Sequence, residues 1–88
     1  MPAPDAVPAI WRLARLEHDP VRNCPVLLYP EGVVFLNESG AAILGLCDGR
    51  RTVAGIAAEL GSRYGADVTA DVTEFLDDLS ARELVDVG

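Results

Sequence analysis

Two short runs of β-branched, aliphatic and aromatic residues, Val26-Leu27-Leu28-Tyr29 and Val33-Val34-Phe35-Leu36, stand either side of Pro30-Glu31-Gly32. Proline presets φ for a turn position and glycine accepts a positive φ, so the segment reads as a β-hairpin. A hairpin of two strands is marginal by itself in water. Other elements must therefore cover one of its faces. The chain has 88 residues with which to do so. That is enough for one domain around one modest core, with no room for a substrate domain beside a cofactor domain.

The residues after the hairpin supply three helices. Asn37 caps the first, which carries apolar Ala41, Ile43, Leu44 and Cys47 and meets a stop at Asp48-Gly49. Thr52 caps the second, whose Val53, Ile56, Ala57, Leu60 and Tyr64 form one stripe that ends near Gly61 to Gly65. The third starts near Thr69. It places Val72, Phe75, Leu76 and Leu79 on one face and Asp71, Glu74, Asp77 and Asp78 on the other. Before the hairpin, alternation from Trp11 to Leu16 puts Trp11, Leu13 and Arg15 on one side of a further strand, which His18-Asp19-Pro20 breaks. Leu84-Val85-Asp86-Val87 can pair as a strand or simply pack. Three of the six prolines fall in the first nine residues, so residues 1–10 are expected to be a flexible arm and residues 11–88 a single domain. The expected fold is α+β: a small winged helix-turn-helix-like domain, with an N-terminal β-hairpin or three-stranded sheet followed by three α-helices.

Charge narrows the partners. Seven Arg, no Lys and fourteen Asp and Glu give a net charge of −7. Residues 52–88 alone carry eight acids against Arg63 and Arg82. Nucleic-acid binding rests on cationic groups displacing counterions from phosphates, and the third helix has no basic residue before Arg82. The winged-helix layout survives this test, but a DNA-binding regulator does not fit it. An acidic surface suits a basic or neutral partner, most simply a protein or peptide. No apolar run reaches the ~18 residues of a membrane span. The N-terminus lacks the basic head and apolar stretch of a secretory signal, so a cytoplasmic location is expected.

Catalytic and metal chemistry find no foothold. Cys24 and Cys47 are twenty-three positions apart with His18 as the single histidine, whereas zinc takes four ligands, usually in close pairs. Both thiols read as small core residues. Asp77 and Asp78 are sequence neighbours that point in different directions on a helix, a poor general acid/base couple. Gly45, Gly49 and Gly55 fit no phosphate-binding loop. The expectation is a binding protein, not an enzyme, with no catalytic residue, metal or cofactor.

The run Val26-Leu27-Leu28-Tyr29-Pro30-Glu31-Gly32-Val33-Val34-Phe35-Leu36-Asn37, followed by Leu46-Cys47-Asp48-Gly49-Arg50-Arg51-Thr52-Val53, resembles the PqqD family of pyrroloquinoline quinone (PQQ) biosynthesis. The likeness continues through Ile56-Ala57, Asp71-Val72 and Phe75-Leu76, covering residues 22–85 and leaving the N-terminal arm out. The resemblance implies a peptide chaperone of the RiPP recognition element class (RiPPs are ribosomally made, post-translationally modified peptides), with three strands and three helices. Such a protein captures the precursor peptide PqqA and presents it to the radical-SAM enzyme PqqE. It also implies that the peptide adds as a strand beside the third strand and packs against the third helix. On this chain those surfaces are Val33, Val34, Phe35 and Leu36, with Val72, Phe75, Leu76 and Leu79. Residues 32–36 contain no proline or charge to blunt a strand edge, which suits strand addition. Arg50 and Arg51, in the turn between the first two helices, read either as a solvated loop or as a docking point for an acidic patch. A free strand edge can also pair with itself, so the expected state is a monomer or a weak homodimer. Recognition of a different modified peptide is the alternative of the same class.

Overall fold

The computed structural model describes residues 3–87. Met1, Pro2 and Gly88, at the ends of the expected arm and domain, lie outside the described residues. The elements run β1 (Ala9–Ile10), β2 (Arg15–Asp19), β3 (Cys24–Tyr29), β4 (Gly32–Phe35), α1 (Glu38–Gly45), α2 (Val53–Tyr64), α3 (Thr69–Ala81) and β5 (Val85–Asp86). The fold is α+β, as the sequence implies.

The hairpin forms where expected. β3 and β4 pair antiparallel from Tyr29 opposite Gly32 to Val26 opposite Phe35, and β2 pairs with the other side of β3. The sheet order β2-β3-β4 leaves β3 in the middle and β4 at an edge. Leu27, on the inner face of the central strand, is fully buried and faces the three helices with Leu36. β2 is displaced from the expected strand: Leu16 turns inward, while Leu13 precedes the strand and is 49% exposed. Only one large apolar residue of β2 points inward, so alternation gives little to read there.

α1 and α2 each begin on an N-cap side chain that accepts a backbone hydrogen bond, while at α3 Asp67 Oδ1 accepts from the first helical N–H, Thr69, at 2.9 Å. Asn37 Oδ1 accepts from Gly40 N at 2.8 Å and Thr52 Oγ1 from Gly55 N at 3.0 Å, satisfying donors that an isolated helix end leaves open. α1 ends at Gly45, earlier than the sequence implies. Leu46 N and Cys47 N bond to the carbonyls three residues back, Ile43 and Leu44, so the chain tightens out of the helix before Asp48. α2 ends at Gly65, whose φ of 67° is the left-handed cap conformation that glycine adopts without strain. The core between sheet and helices is apolar: Leu44, Val53, Ile56, Leu60, Val72, Leu76 and Leu79 are each at most 2% exposed.

Residues 3–10 make contacts with the rest of the fold. Ala6 O and Pro4 O accept from Val53 N and Ala54 N, both at 2.9 Å, and so complete the N-terminus of α2. Pro8 is fully buried, and its carbonyl accepts from Gly49 N. Ala9 and Ile10 then pair with Asp86 and Val85, so the apolar tail does form a strand. Trp11 follows, half-buried against the core, with its backbone N–H donating to Leu84 O at 2.9 Å.

Candidate functional site

β4 has one bonded side and one open side. Leu36 N donates to Pro25 O at 2.9 Å. Antiparallel pairing alternates bonded and non-bonded residues, so Leu36, Val34 and Gly32 turn their N–H and C=O toward β3. Val33 and Phe35 turn theirs outward. The opposite edge of the sheet is β2, which carries Arg15, Glu17, His18 and Asp19; such charge discourages strand pairing. β4 carries none.

Beside the open edge lies a groove of about 520 Å³, lined by α3 together with residues of α1 and of the end of α2. Val34, Phe35, Leu36, Val72, Phe75 and Leu79 all line it. Of these, Val72 and Leu79 are 1% exposed and form its floor, whereas Phe75 is only half-buried. Phe75 leans over the start of α1, where a Cβ on Gly40 would sit 3.1 Å from the ring. Glycine there lets the ring approach the helix. Six of the eight residues singled out from the sequence thus meet at one place. Val33 contributes its outward backbone, but its side chain, like the Phe35 ring, lies on the outer sheet face with Leu28. Leu76 is 0% exposed and belongs to the core.

Sequence reasoning missed the polar part of the wall. Asp71, Asp78 and Arg82 line the groove with Phe75. They fall at i, i+7 and i+11 with Phe75 at i+4, one stripe of the helix adjacent to the core stripe. That spacing is readable in the sequence, where Asp71 and Asp78 read as part of a solvated helix face. Tyr64 and Val68 also line the groove.

Arg50 and Arg51 lie elsewhere, in the turn before α2, and line no part of this groove. Asp48 organises them: its Oδ1 accepts from both backbone N–H groups, at 2.9 and 3.1 Å, and its Oδ2 pairs with the Arg51 guanidinium at 2.8 Å. Those backbone bonds hold the Asp48 carboxyl below its ordinary value of 3.8. On the outer sheet face the Arg22 guanidinium stacks 4.7 Å from the centre of the Phe35 ring. Cys47 is buried and donates from Sγ to Ile43 O. Burial, and secondarily the Asp48 charge, push its pKa to about 12, so it is a thiol at neutral pH. Among the described residues no group of three or more His, Cys, Asp or Glu is gathered as a metal site would require. No described helix is long and apolar enough to cross a membrane.

The chain is similar in sequence and in fold to known proteins. The family model described as coenzyme PQQ synthesis protein D (PqqD) matches residues 24–85. A "PqqA binding protein" of Azotobacter vinelandii is 43% identical over 83 residues, covering 92% of this chain and 90% of that one. Another of the same name from Stutzerimonas stutzeri is 47% identical over 73 residues, covering 81% and 79%. Among solved structures, the solution NMR structure of the PqqD truncation of Methylobacterium extorquens PqqCD superposes with a TM-score of 0.84 at 38% identity. It spans 98% of this chain and 95% of its own, and is described as a functional, stand-alone RiPP recognition element.

Proposed function

The chain belongs to the PqqD family of coenzyme PQQ synthesis proteins, and from that premise we propose that it binds the precursor peptide PqqA as a strand added to β4. The observation that carries this reading is the open edge itself. Val33 and Phe35 hold outward N–H and C=O groups beside an apolar groove, and strand addition needs both: main-chain bonds for affinity and pockets for alternate side chains. The names of the relatives, PqqA binding proteins, and the recognition-element role of the Methylobacterium structure support the choice of peptide. The chain acts by binding, and the chemistry belongs to the enzyme that receives the peptide, the radical-SAM enzyme PqqE. The Asp48–Arg51 turn, off the groove and carrying two guanidinium groups, is the surface assigned to an acidic patch on that enzyme. Residues 11–88 form the peptide-binding domain, working in the cytoplasm.

Titration of ¹⁵N-labelled protein with synthetic PqqA tests the reading. Shift changes concentrated in 32–36 and 71–82 are expected. Changes confined to 50–64, with the edge and α3 silent, would overturn the strand-addition model.

A further inference from the structure

We propose that Asp71 and Asp78 make the groove selective for a strand with a basic residue two positions from its apolar anchor. This inference rests on the peptide reading above and specifies what the groove accepts. Phe75 stands half-buried at the middle of the α3 stripe, with a carboxylate one turn away on either side, and all three line the groove. The side of the groove facing them, Val34 to Leu36, carries no charge. An incoming strand therefore meets one aromatic surface flanked by two negative charges.

The spacing matches a strand. From Phe75 to Asp71 the helix rises about 6 Å, and to Asp78 about 4.5 Å. Side chains on the same face of a strand repeat every ~6.7 Å. In a strand that runs along α3, a side chain resting on Phe75 brings its neighbours at i−2 and i+2 opposite the two carboxylates, and the flexible stem of Lys or Arg absorbs the remaining mismatch. The residues between face the outer side of the sheet, with Val33 and Phe35, and escape this selection. Arg82, two turns from Phe75 at the end of the stripe, disfavours a basic residue there. The charge order along the wall also distinguishes the two directions in which a strand can lie. The net charge of −7 favours a basic ligand everywhere on this surface, so the test must separate local from global attraction.

The probe is the PqqA encoded in the same genome, fluorescently labelled, together with peptides in which each Lys or Arg in turn becomes Gln. Affinities are measured at low salt for the wild type, Asp71→Asn, Asp78→Asn, their double variant and Asp77→Asn. Asp77 lies on the same helix about a third of a turn from Asp78, outside the groove lining. Replacing one particular basic residue should weaken wild-type binding about fivefold, as expected of a partly exposed ion pair, and weaken binding to the double variant by less than twofold. Asp77→Asn should retain the full fivefold difference. Equal losses in all three single variants would show that net charge, not the groove, attracts the peptide, and would overturn the inference. Wild-type binding that is tight and indifferent to every basic residue would overturn it while leaving the peptide reading intact. No binding by the wild type would overturn both.

Discussion

Proline at position 35 discriminates between an edge that receives a strand and one that merely borders the core. The Phe35 N–H points away from β3, because Leu36 N bonds to Pro25 O and antiparallel neighbours alternate. Phe35→Pro therefore removes no bond of the folded protein, and an edge strand tolerates proline on its solvent side. What it removes is one of two outward donors, and its ring occupies space where the incoming strand must lie. A lost main-chain bond and a peptide carbonyl left unsatisfied together cost about 1.5–3 kcal/mol, roughly a 10- to 150-fold rise in Kd. The Phe35 side chain is half exposed and stacks on Arg22, so the reference is Phe35→Ala, which loses the ring but keeps the donor. Fluorescence anisotropy with labelled PqqA supplies the affinities, and urea melts confirm that both variants are folded. Val34→Pro is the opposite case: its N–H faces Leu27, across the ladder, and the variant should lose stability outright. Phe35→Pro binding within threefold of Phe35→Ala would refute the reasoning, since the outward N–H would then take no part in capture.

On α3, Phe75→Ala should weaken peptide binding with a small change in the melt, whereas Leu76→Ala should mainly unfold the domain; the reverse pattern in the two assays would contradict the assignment of groove and core. Leu44→Ala or Leu60→Ala, each emptying a side chain that is 1% exposed, should cost about 2–5 kcal/mol in urea melts, and a loss below half of that would mean the site collapses or is not core. Removing the first eight residues takes away the Pro4 and Ala6 carbonyls from α2 and the buried Pro8, and should lower stability by about 2–4 kcal/mol. Because Asp48 is held below 3.8 in the fold, its contribution is complete above the unfolded value of about 3.9 and is lost as pH falls through the folded one. Wild type and Asp48→Asn should therefore differ in urea midpoint at pH 7 and converge as pH falls through the lowered folded value, and a difference independent of pH would argue against ionisation as the cause.

The elements with strong local signals were legible. Pro30-Glu31-Gly32 between two apolar runs gives the hairpin, and Thr52 with its stripe gives α2 to within its cap. α1 was harder, since Cys47 continues the apolar spacing after the helix has tightened away at Leu46; periodicity cannot separate a buried helical residue from one buried just beyond it. The contacts of residues 3–10 are not legible in the sequence for a physical reason: they run mainly through carbonyls, which every residue has, proline included, and so leave no pattern. In the candidate site, adjacent Phe75 and Leu76 are both apolar, and only the packing shows that one faces the groove and the other the core. Asp71 and Asp78 looked like solvent-facing charges because a groove and open water favour the same residue types.

The pairing of Ala9 and Ile10 with Val85 and Asp86 has a consequence for how such a domain is joined to others. Ala9 lies opposite Asp86, so the chain enters β1 beside the point where it leaves β5, and neither strand contributes a residue to the groove. A segment continuing after β5 would start beside β1 and leave the β4 edge uncovered. A downstream catalyst could be carried on that side of the same polypeptide without rebuilding the surface that captures its substrate.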